Sequence, residues 1–236
     1  MKRILILTAI MLIALVGVKA QSLETVLDKH YAATGYEKMA KVKTFDIKAQ
    51  MGMMGMSMPM NIKIKKPNKF RVDMEVMGQK TISAFDGTKG WMINPMIGAG
   101  VKDLEGAELD KAMEQADMEG ELYNYAKKGH AAELIGKVDA DGKQAWQIKL
   151  TAKDGSVKNY FINADTYLID KVTAKVDAMG QTMEIETKMV EYQTINGIKM
   201  TKKIEAVMPM GTVTTTMDEI KLDENLDDSI FERPAN

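Results

Sequence analysis

Apolar and polar residues alternate along most of the chain, which is the period expected of strands with one buried face. The first alternating region begins at Lys43 and continues to about residue 94. The second occupies residues 131–222, where Asp141-Gly142 and Asn196-Gly197 are signals for tight hairpin turns. The pattern predicts two runs of antiparallel strands, five in the first and about seven in the second.

In two stretches the apolar residues recur instead at the spacing of a helix. Near the N-terminus, Ser22 can cap a helix that Gly35 would end, and one further turn follows. Between the strand regions, residues 106–118 predict a helix and residues 120–128 a second, shorter one. Residues 95–102 contain proline and glycine and are predicted to be a loop.

These elements predict a mainly β chain of the α+β class, folded as an open antiparallel β half-barrel. Consecutive hairpins with one apolar face curve into such a sheet, and the short helices are expected to cover its concave face. No linker rich in proline or serine divides residues 21–236, so we predict one domain over that range.

The first twenty residues have the pattern of a secretory signal peptide. Lys2 and Arg3 precede an apolar run over residues 4–18, and small residues favour cleavage after Ala20. The run is shorter than the roughly 20 residues of a membrane-spanning helix, although an uncleaved anchor is the alternative. We therefore expect an exported, periplasmic protein, and the absence of cysteine excludes lipid attachment at the new N-terminus.

Composition argues against several classes of function. The formal net charge is −1 and the chain has no basic stripe, so nucleic acid is not an expected partner. His30 and His130 are the only histidines, cysteine is absent, and no catalytic or phosphate-binding motif occurs. We therefore expect neither an enzyme nor a cofactor, and we expect the chain to be a monomer.

Methionine is the one unusual component, with 22 residues against 5 phenylalanines and 2 tryptophans. The densest group follows the alternation of neighbouring strands and comprises Met51, Met53, Met54, Met56, Met58, Met60 and Met74. The parity slips between Gly52 and Gly55, as at a hairpin turn or a bulge. The flexible thioether adapts to irregular apolar partners, which favours the lining of an apolar cavity or a core. Thioethers also bind Cu(I), so a methionine-rich copper-binding protein is the alternative.

Three segments carry a family resemblance. Residues 63–72 end a strand with basic residues, Pro-Asn and Phe, residues 85–95 combine Asp-Gly, Trp and Asn-Pro, and residues 225–234 close with Phe and Pro. Together they resemble the outer-membrane lipoprotein-sorting family, LolA/LolB-like. The resemblance implies an incomplete antiparallel barrel with a helix-capped apolar face that shields acyl chains in the periplasm. It also implies that the basic residue before the Pro-Asn turn, here Lys66, helps to govern lid closure and ligand release.

We therefore predict a periplasmic carrier or binding protein for lipoprotein acyl chains or another apolar ligand. The predicted ligand-binding residues are the seven methionines together with Trp91 and Lys66, and no catalytic or metal-binding residue is assigned. A lipid or a lipidated protein is the expected partner, and an envelope membrane complex is a further candidate. A structural envelope protein that takes a peptide at its sheet edge or concave face is a third hypothesis.

Overall fold

The computed structural model describes residues 21–178, 181–208 and 211–235. The predicted signal peptide, residues 1–20, and its cleavage after Ala20 lie outside these residues. The described part contains the α-helices α1 (Leu23–Thr34), α2 (Tyr36–Met39) and α3 (Ala107–Gln115). In that part of the chain, no helix is long and apolar enough to cross a bilayer.

Thirteen strands in the described ranges form one antiparallel sheet. Those before α3 are β1 (Thr44–Met53), β2 (Met56–Lys65), β3 (Lys69–Val76), β4 (Gln79–Phe85), β5 (Gly90–Ile93) and β6 (Val101–Leu104). Those after α3 are β7 (Ala131–Ala140), β8 (Lys143–Thr151), β9 (Val157–Asn163), β10 (Ile169–Ala178), β11 (Gln181–Ile195), β12 (Ile198–Met208) and β13 (Gly211–Leu222). The sheet is open, with β6 and β7 at its two edges, which confirms the predicted half-barrel.

The first and last strands lie side by side in the middle of the sheet. The order is β6 to β1 in one direction, followed by β13 back to β7. β1 and β13 pair from Phe45 opposite Leu222 to Met53 opposite Val213. Because hairpin turns alternate between the two ends of a meander, the β1–β2 and β3–β4 turns lie at one end. The β2–β3, β7–β8 and β11–β12 turns lie at the other.

Helix α1 is explained by its capping residues and its apolar stripe. The Ser22 side chain accepts a hydrogen bond from the Thr25 amide at 3.2 Å, as an N-cap should. Val26 and Leu27 are buried against β8 and β9. Gly35 ends the helix in the left-handed conformation, at φ 72°, and lies against the β11–β12 turn.

We expect Gly35→Ala to destabilise the fold more than an ordinary glycine substitution would. A β-carbon there would overlap the carbonyl oxygen of Gly197, in addition to the unfavourable positive φ. The expected loss is more than about 2 kcal/mol in the free energy of unfolding, measured with urea. Gly142→Ala is the matched control, because Gly142 has φ +80° but open space around it. Equal losses for the two variants would show that the contact with Gly197 contributes nothing.

Two details between the strand regions differ from the sequence prediction. The loop predicted over residues 95–102 ends earlier, because Val101–Leu104 form the edge strand β6. Its four residues are too few to show an alternating pattern, and the strand pairs with β5 alone. The helix predicted over residues 120–128 is a series of turns, because Asn124 has a φ of 51° that interrupts the α-helical hydrogen bonds.

The C-terminal segment crosses the convex face of the sheet. Leu226 and Phe231 are buried, and the indole Nε1 of Trp91 donates to the Phe231 carbonyl at 2.8 Å. The guanidinium of Arg71 donates to the Ile230 carbonyl at 2.5 Å. This segment therefore covers the convex side of β3–β5, and the helices lie on the opposite, concave side.

Candidate ligand-binding trough

Helices cover only part of the concave face. Ala112 and Ala116, at the end of α3, pack on Phe70 of β3 and Phe85 of β4. Phe45 at the start of β1 lies in a second cluster with residues near α2. Toward the other end of β1 and β2 the same face carries the methionines. In the described chain, the clusters formed with the helices do not include these methionines.

The strand register brings methionines together on this uncovered part of the concave face. Three pairs face each other directly across β1, β2 and β3: Met51 with Met58, Met53 with Met56, and Met60 with Met74. Directly opposed residues in an antiparallel pair have β-carbons about 4.5–5.5 Å apart, so the long thioether side chains can contact one another. Met58 is buried, Met56 is exposed, and the other four are half-buried.

The apolar surface continues across the remaining strands of the concave face. By register and alternation, the residues that share this face on β13, β12, β11 and β10 include Val213, Thr215, Ile204, Ala206, Met183, Ile185, Ala174 and Val176. All of these are half-buried. We call the three methionine pairs and these eight residues the trough. It presents thioether, aliphatic and hydroxyl groups, which suit contact with apolar matter.

At the end of the sheet next to the trough, methionines occupy two hairpin turns. In Met54-Gly55 and Met77-Gly78, both residues of each turn have positive φ. The methionine side chains are 74 % and 81 % exposed. Such turns favour Asn or Asp at the first position, and the chain places Asp141 and Asn196 there at the opposite end of the sheet. A left-handed methionine costs about 1 kcal/mol, so folding does not explain these two side chains.

The loop over residues 94–100 lies at the same end and exposes Met96 and Ile97. We call this loop and the two methionine turns the rim. Residues 49–60 and 90–101, which lead through the rim, contain no ionisable side chain. The rim is therefore apolar at its tips, and Glu75 and Lys80 flank only the Met77-Gly78 turn.

Trp91 and Lys66 lie apart from the methionines, although all were predicted as one ligand-binding set. Trp91 is 2 % exposed and faces the convex side, beneath the C-terminal segment. Lys66 lies in the β2–β3 turn at the end far from the rim, where its ammonium donates to the Ala40 carbonyl just after α2. Met54 lies in the rim turn. The trough therefore contains the other six predicted methionines.

A polar cluster that was not predicted fastens the segment after α3 to the sheet. Lys158 of β9 pairs with Glu114 of α3 and, at 2.9 Å, with Glu121. The Tyr160 hydroxyl donates to Glu121 at 2.6 Å. Lys158 also lies opposite Ala174 of the trough, so the cluster borders the trough. The one local signal for it is a lysine at a position where the alternation calls for an apolar residue.

Glu121 should stabilise the protein in a pH-dependent way. Burial raises the pKa of Glu121, but hydrogen bonds from Tyr160 and Lys158 outweigh it and leave the pKa below its ordinary value. A carboxylate with a lowered folded pKa contributes stability above its unfolded pKa and loses it as pH falls through the folded pKa.

We therefore expect Glu121→Gln to be less stable than wild type by about 2 kcal/mol near pH 7. The difference should shrink as the pH is lowered to about 3, in urea unfolding at a series of pH values. Glu133→Gln, at an exposed carboxylate on β7, is the control and should change stability little at any pH. A pH-independent difference for Glu121→Gln would contradict the assignment.

No cluster of three or more His, Cys, Asp or Glu side chains placed to hold a metal ion occurs within residues 21–178, 181–208 and 211–235. His30, a residue of α1, is buried, and burial lowers its pKa. Its Nδ1 lies 2.8 Å from the Tyr167 carbonyl, so the ring is held by a main-chain group.

An open antiparallel half-barrel, with helices over part of its concave face and an apolar trough in the rest, defines the LolA-like class of folds. No protein-family model and no curated protein sequence matches the chain. Solved structures do match it, and they support this class at low sequence identity.

The similar structures cover nearly the whole chain. A LolA superfamily protein from Nitrosomonas europaea is 12 % identical with a TM-score of 0.60, covering 90 % of this chain and 98 % of its own. A domain described as an outer-membrane lipoprotein-sorting protein, from Vibrio parahaemolyticus, is 11 % identical with a TM-score of 0.60, covering 89 % and 95 %. A DUF1329 family protein from Desulfovibrio piger is 15 % identical with a TM-score of 0.58, covering 88 % and 97 %. The predicted resemblance is thus confirmed for the fold.

Proposed function

We propose that the protein binds the acyl chain of a lipid or lipidated protein in the trough, as a carrier in the bacterial envelope. The observation that supports this most is the set of three opposed methionine pairs on a part of the concave face outside the helix-packed clusters. An acyl chain placed there would gain roughly 0.8 kcal/mol for each methylene removed from water. Methionine suits chains of varied length and branching, because its unbranched side chain adapts to the shape of its partner.

The position of the trough also favours a carrier. The rim beside the trough exposes Met54, Met77, Met96 and Ile97, so a chain could enter or leave across apolar side chains. The description of the Vibrio parahaemolyticus neighbour as a lipoprotein-sorting protein agrees with lipoprotein acyl chains as the cargo. The proposal is for binding and not for catalysis, and the comparisons give no support to copper binding.

The test is uptake of acyl ligands by delipidated protein. We expect saturable binding of a fluorescent fatty acid, displaced by unlabelled fatty acid, and lipid bound to the native protein in mass spectrometry. Short water-soluble alcohols should not displace the probe, because they bury too few methylenes. If the delipidated and correctly folded protein takes up no acyl ligand, the proposal is wrong.

We expect the double variant Met54→Asn/Met77→Asn to slow ligand transfer without weakening the fold. Asparagine is favoured in left-handed turn positions, so thermal stability should be unchanged or higher. Loss of the exposed apolar tips should slow the transfer of a fluorescent acyl chain from vesicles into the trough. Met113→Gln, at an exposed methionine on α3, is the control. Transfer at the wild-type rate in the double variant would show that the two methionine turns of the rim have no role in ligand transfer.

A further inference from the structure

A second pocket lies between α1, α2 and the segment after α3, away from the trough and the rim. It has a volume of about 520 Å³, and its lining includes the rings of Tyr31, Tyr36 and Tyr123. The Tyr36 and Tyr123 rings are stacked, with centroids 3.8 Å apart. Tyr31 meets Tyr123 at 77°, with centroids 5.3 Å apart. The stacked pair and Tyr31 therefore form two aromatic walls that meet at a steep angle.

Carboxylates surround these aromatic walls without ion-pair partners. Asp28 and Glu37 line the pocket, and Glu119 lies close enough to Tyr36 to influence its ionisation. Among the ion pairs of the described residues, none involves Asp28, Glu37 or Glu119. The one basic residue in the lining, Lys38, extends its ammonium over Gly197 of the β11–β12 turn. In the lining, two carboxylates therefore face a single ammonium group, which is directed toward the neighbouring turn.

The hydroxyl of Tyr36 lies beside the side chains of Glu119 and Tyr123, but its contacts with them fall outside ordinary hydrogen-bond geometry. Tyr36 is only 6 % exposed, and its hydroxyl makes no hydrogen bond of ordinary geometry within the described residues. By contrast, the Tyr31 hydroxyl donates to the Leu122 carbonyl at 2.8 Å. A buried polar atom without a well-formed hydrogen bond destabilises the fold, so this phenol at the pocket wall is free to pair with a polar group of a ligand.

We propose that this pocket binds a small organic cation, namely an ammonium group carried by alkyl substituents. Aromatic faces attract such cations through their negative quadrupole, and alkylated ammonium ions are preferred because they are weakly hydrated. The carboxylates of Asp28, Glu37 and Glu119, which form no ion pair in the described structure, supply the compensating charge, and the Tyr36 hydroxyl can bind a polar group on the ligand. The proposal does not depend on acyl binding in the trough.

The test compares choline with its uncharged isostere, 3,3-dimethyl-1-butanol, by calorimetric titration of the full protein. The two molecules have the same shape, so their difference reports the charge alone. We expect choline and tetramethylammonium to bind at least about tenfold more tightly than the isostere. Equal affinity, or no binding of either cation, would overturn the proposal.

Single variants test how much the rings and the carboxylates contribute to choline binding, independently of the stability of the fold. Tyr123→Leu should weaken choline binding at least about tenfold, whereas Tyr123→Phe keeps the ring and should bind nearly as wild type. Glu37→Gln, at an exposed carboxylate, should weaken choline but leave the isostere unchanged. Full choline affinity in Tyr123→Leu, with a folded state verified by thermal unfolding, would exclude the pocket.

A competition experiment then tests whether the bound cation is a free molecule or the headgroup of a lipid. Phosphocholine and phosphatidylcholine vesicles are each used to compete with bound choline. Competition by the vesicles indicates a lipid headgroup, and competition by soluble choline compounds alone indicates a free cation. Loss of acyl uptake in the trough with choline binding retained would disprove the proposed function and leave this inference standing.

Discussion

Met60→Glu should weaken the binding of a fatty acid by about a hundredfold or more, which corresponds to roughly 3 kcal/mol. Met60 lies opposite both Ala49 of β1 and Met74 of β3, so its side chain is at the centre of the methionine surface. A carboxylate there either remains ionised against the acyl chain, at a large desolvation cost, or takes up a proton at a raised pKa. The binding defect should therefore lessen as the pH is lowered, and it is measured with the fluorescent fatty acid at several pH values.

Two variants control for shape and for charge elsewhere. Met60→Leu keeps an apolar side chain and should bind within a few-fold of wild type, while Met113→Glu adds the same charge on the exposed side of α3. Both should bind the fatty acid. If Met60→Glu also binds like wild type while its fold is intact, the ligand does not lie against these methionines.

Phe231→Ala should be among the most destabilising single substitutions in the chain, with a loss of about 4 kcal/mol in the free energy of unfolding. The Phe231 side chain is fully buried, and its carbonyl accepts the hydrogen bond from Trp91, so removing the ring also loosens that contact. For a protein of this size the loss corresponds to a fall in Tm of roughly 8–16 °C, measured by circular dichroism.

Neighbouring substitutions show whether the effect belongs to the buried ring. Glu232→Gln alters an exposed residue next to Phe231 and should leave Tm nearly unchanged. Trp91→Phe removes the indole donor but keeps most of the apolar volume, so its loss should be smaller than that of Phe231→Ala. A Tm for Phe231→Ala within a degree or two of wild type would mean that the C-terminal segment is held instead by its ion pairs, those of Asp228 with Lys65 and Lys69 and of Arg233 with Asp103.

Most of the strands could be predicted from local sequence patterns. Asp141-Gly142 and Asn196-Gly197 fix turns because their side chains accept positive φ, and the alternation between turns fixes which residues share a face. The parity slip beside Gly52 and Gly55 is the β1–β2 hairpin turn. Five methionines of the trough follow from that turn and Met74 follows from the next hairpin, because register across a hairpin depends on local sequence.

Contacts between distant segments could not be predicted from the sequence. Lys158 and Glu121 are separated by 37 residues, and no local rule pairs them. Trp91 and Met92 are adjacent in a strand, so the sequence shows that they face opposite sides of the sheet but not which side each faces. The register with β4 shows that Met92 faces the helices and Trp91 faces the C-terminal segment. β6 escaped prediction because an edge strand of four residues depends on its neighbour more than on its own pattern.

The pairing of β1 with β13 determines when a binding site can exist during synthesis. The residues that face the methionines of β1 across this junction belong to β13, which follows every other strand of this sheet along the chain. Each half of the sheet can form from local hairpins, but joining them requires a contact across nearly the whole chain, which is a slow step. A nascent or C-terminally truncated chain therefore exposes the methionine surface of β1–β3 without its opposite wall. Such a chain should be a substrate for chaperones or proteases before it can hold a ligand.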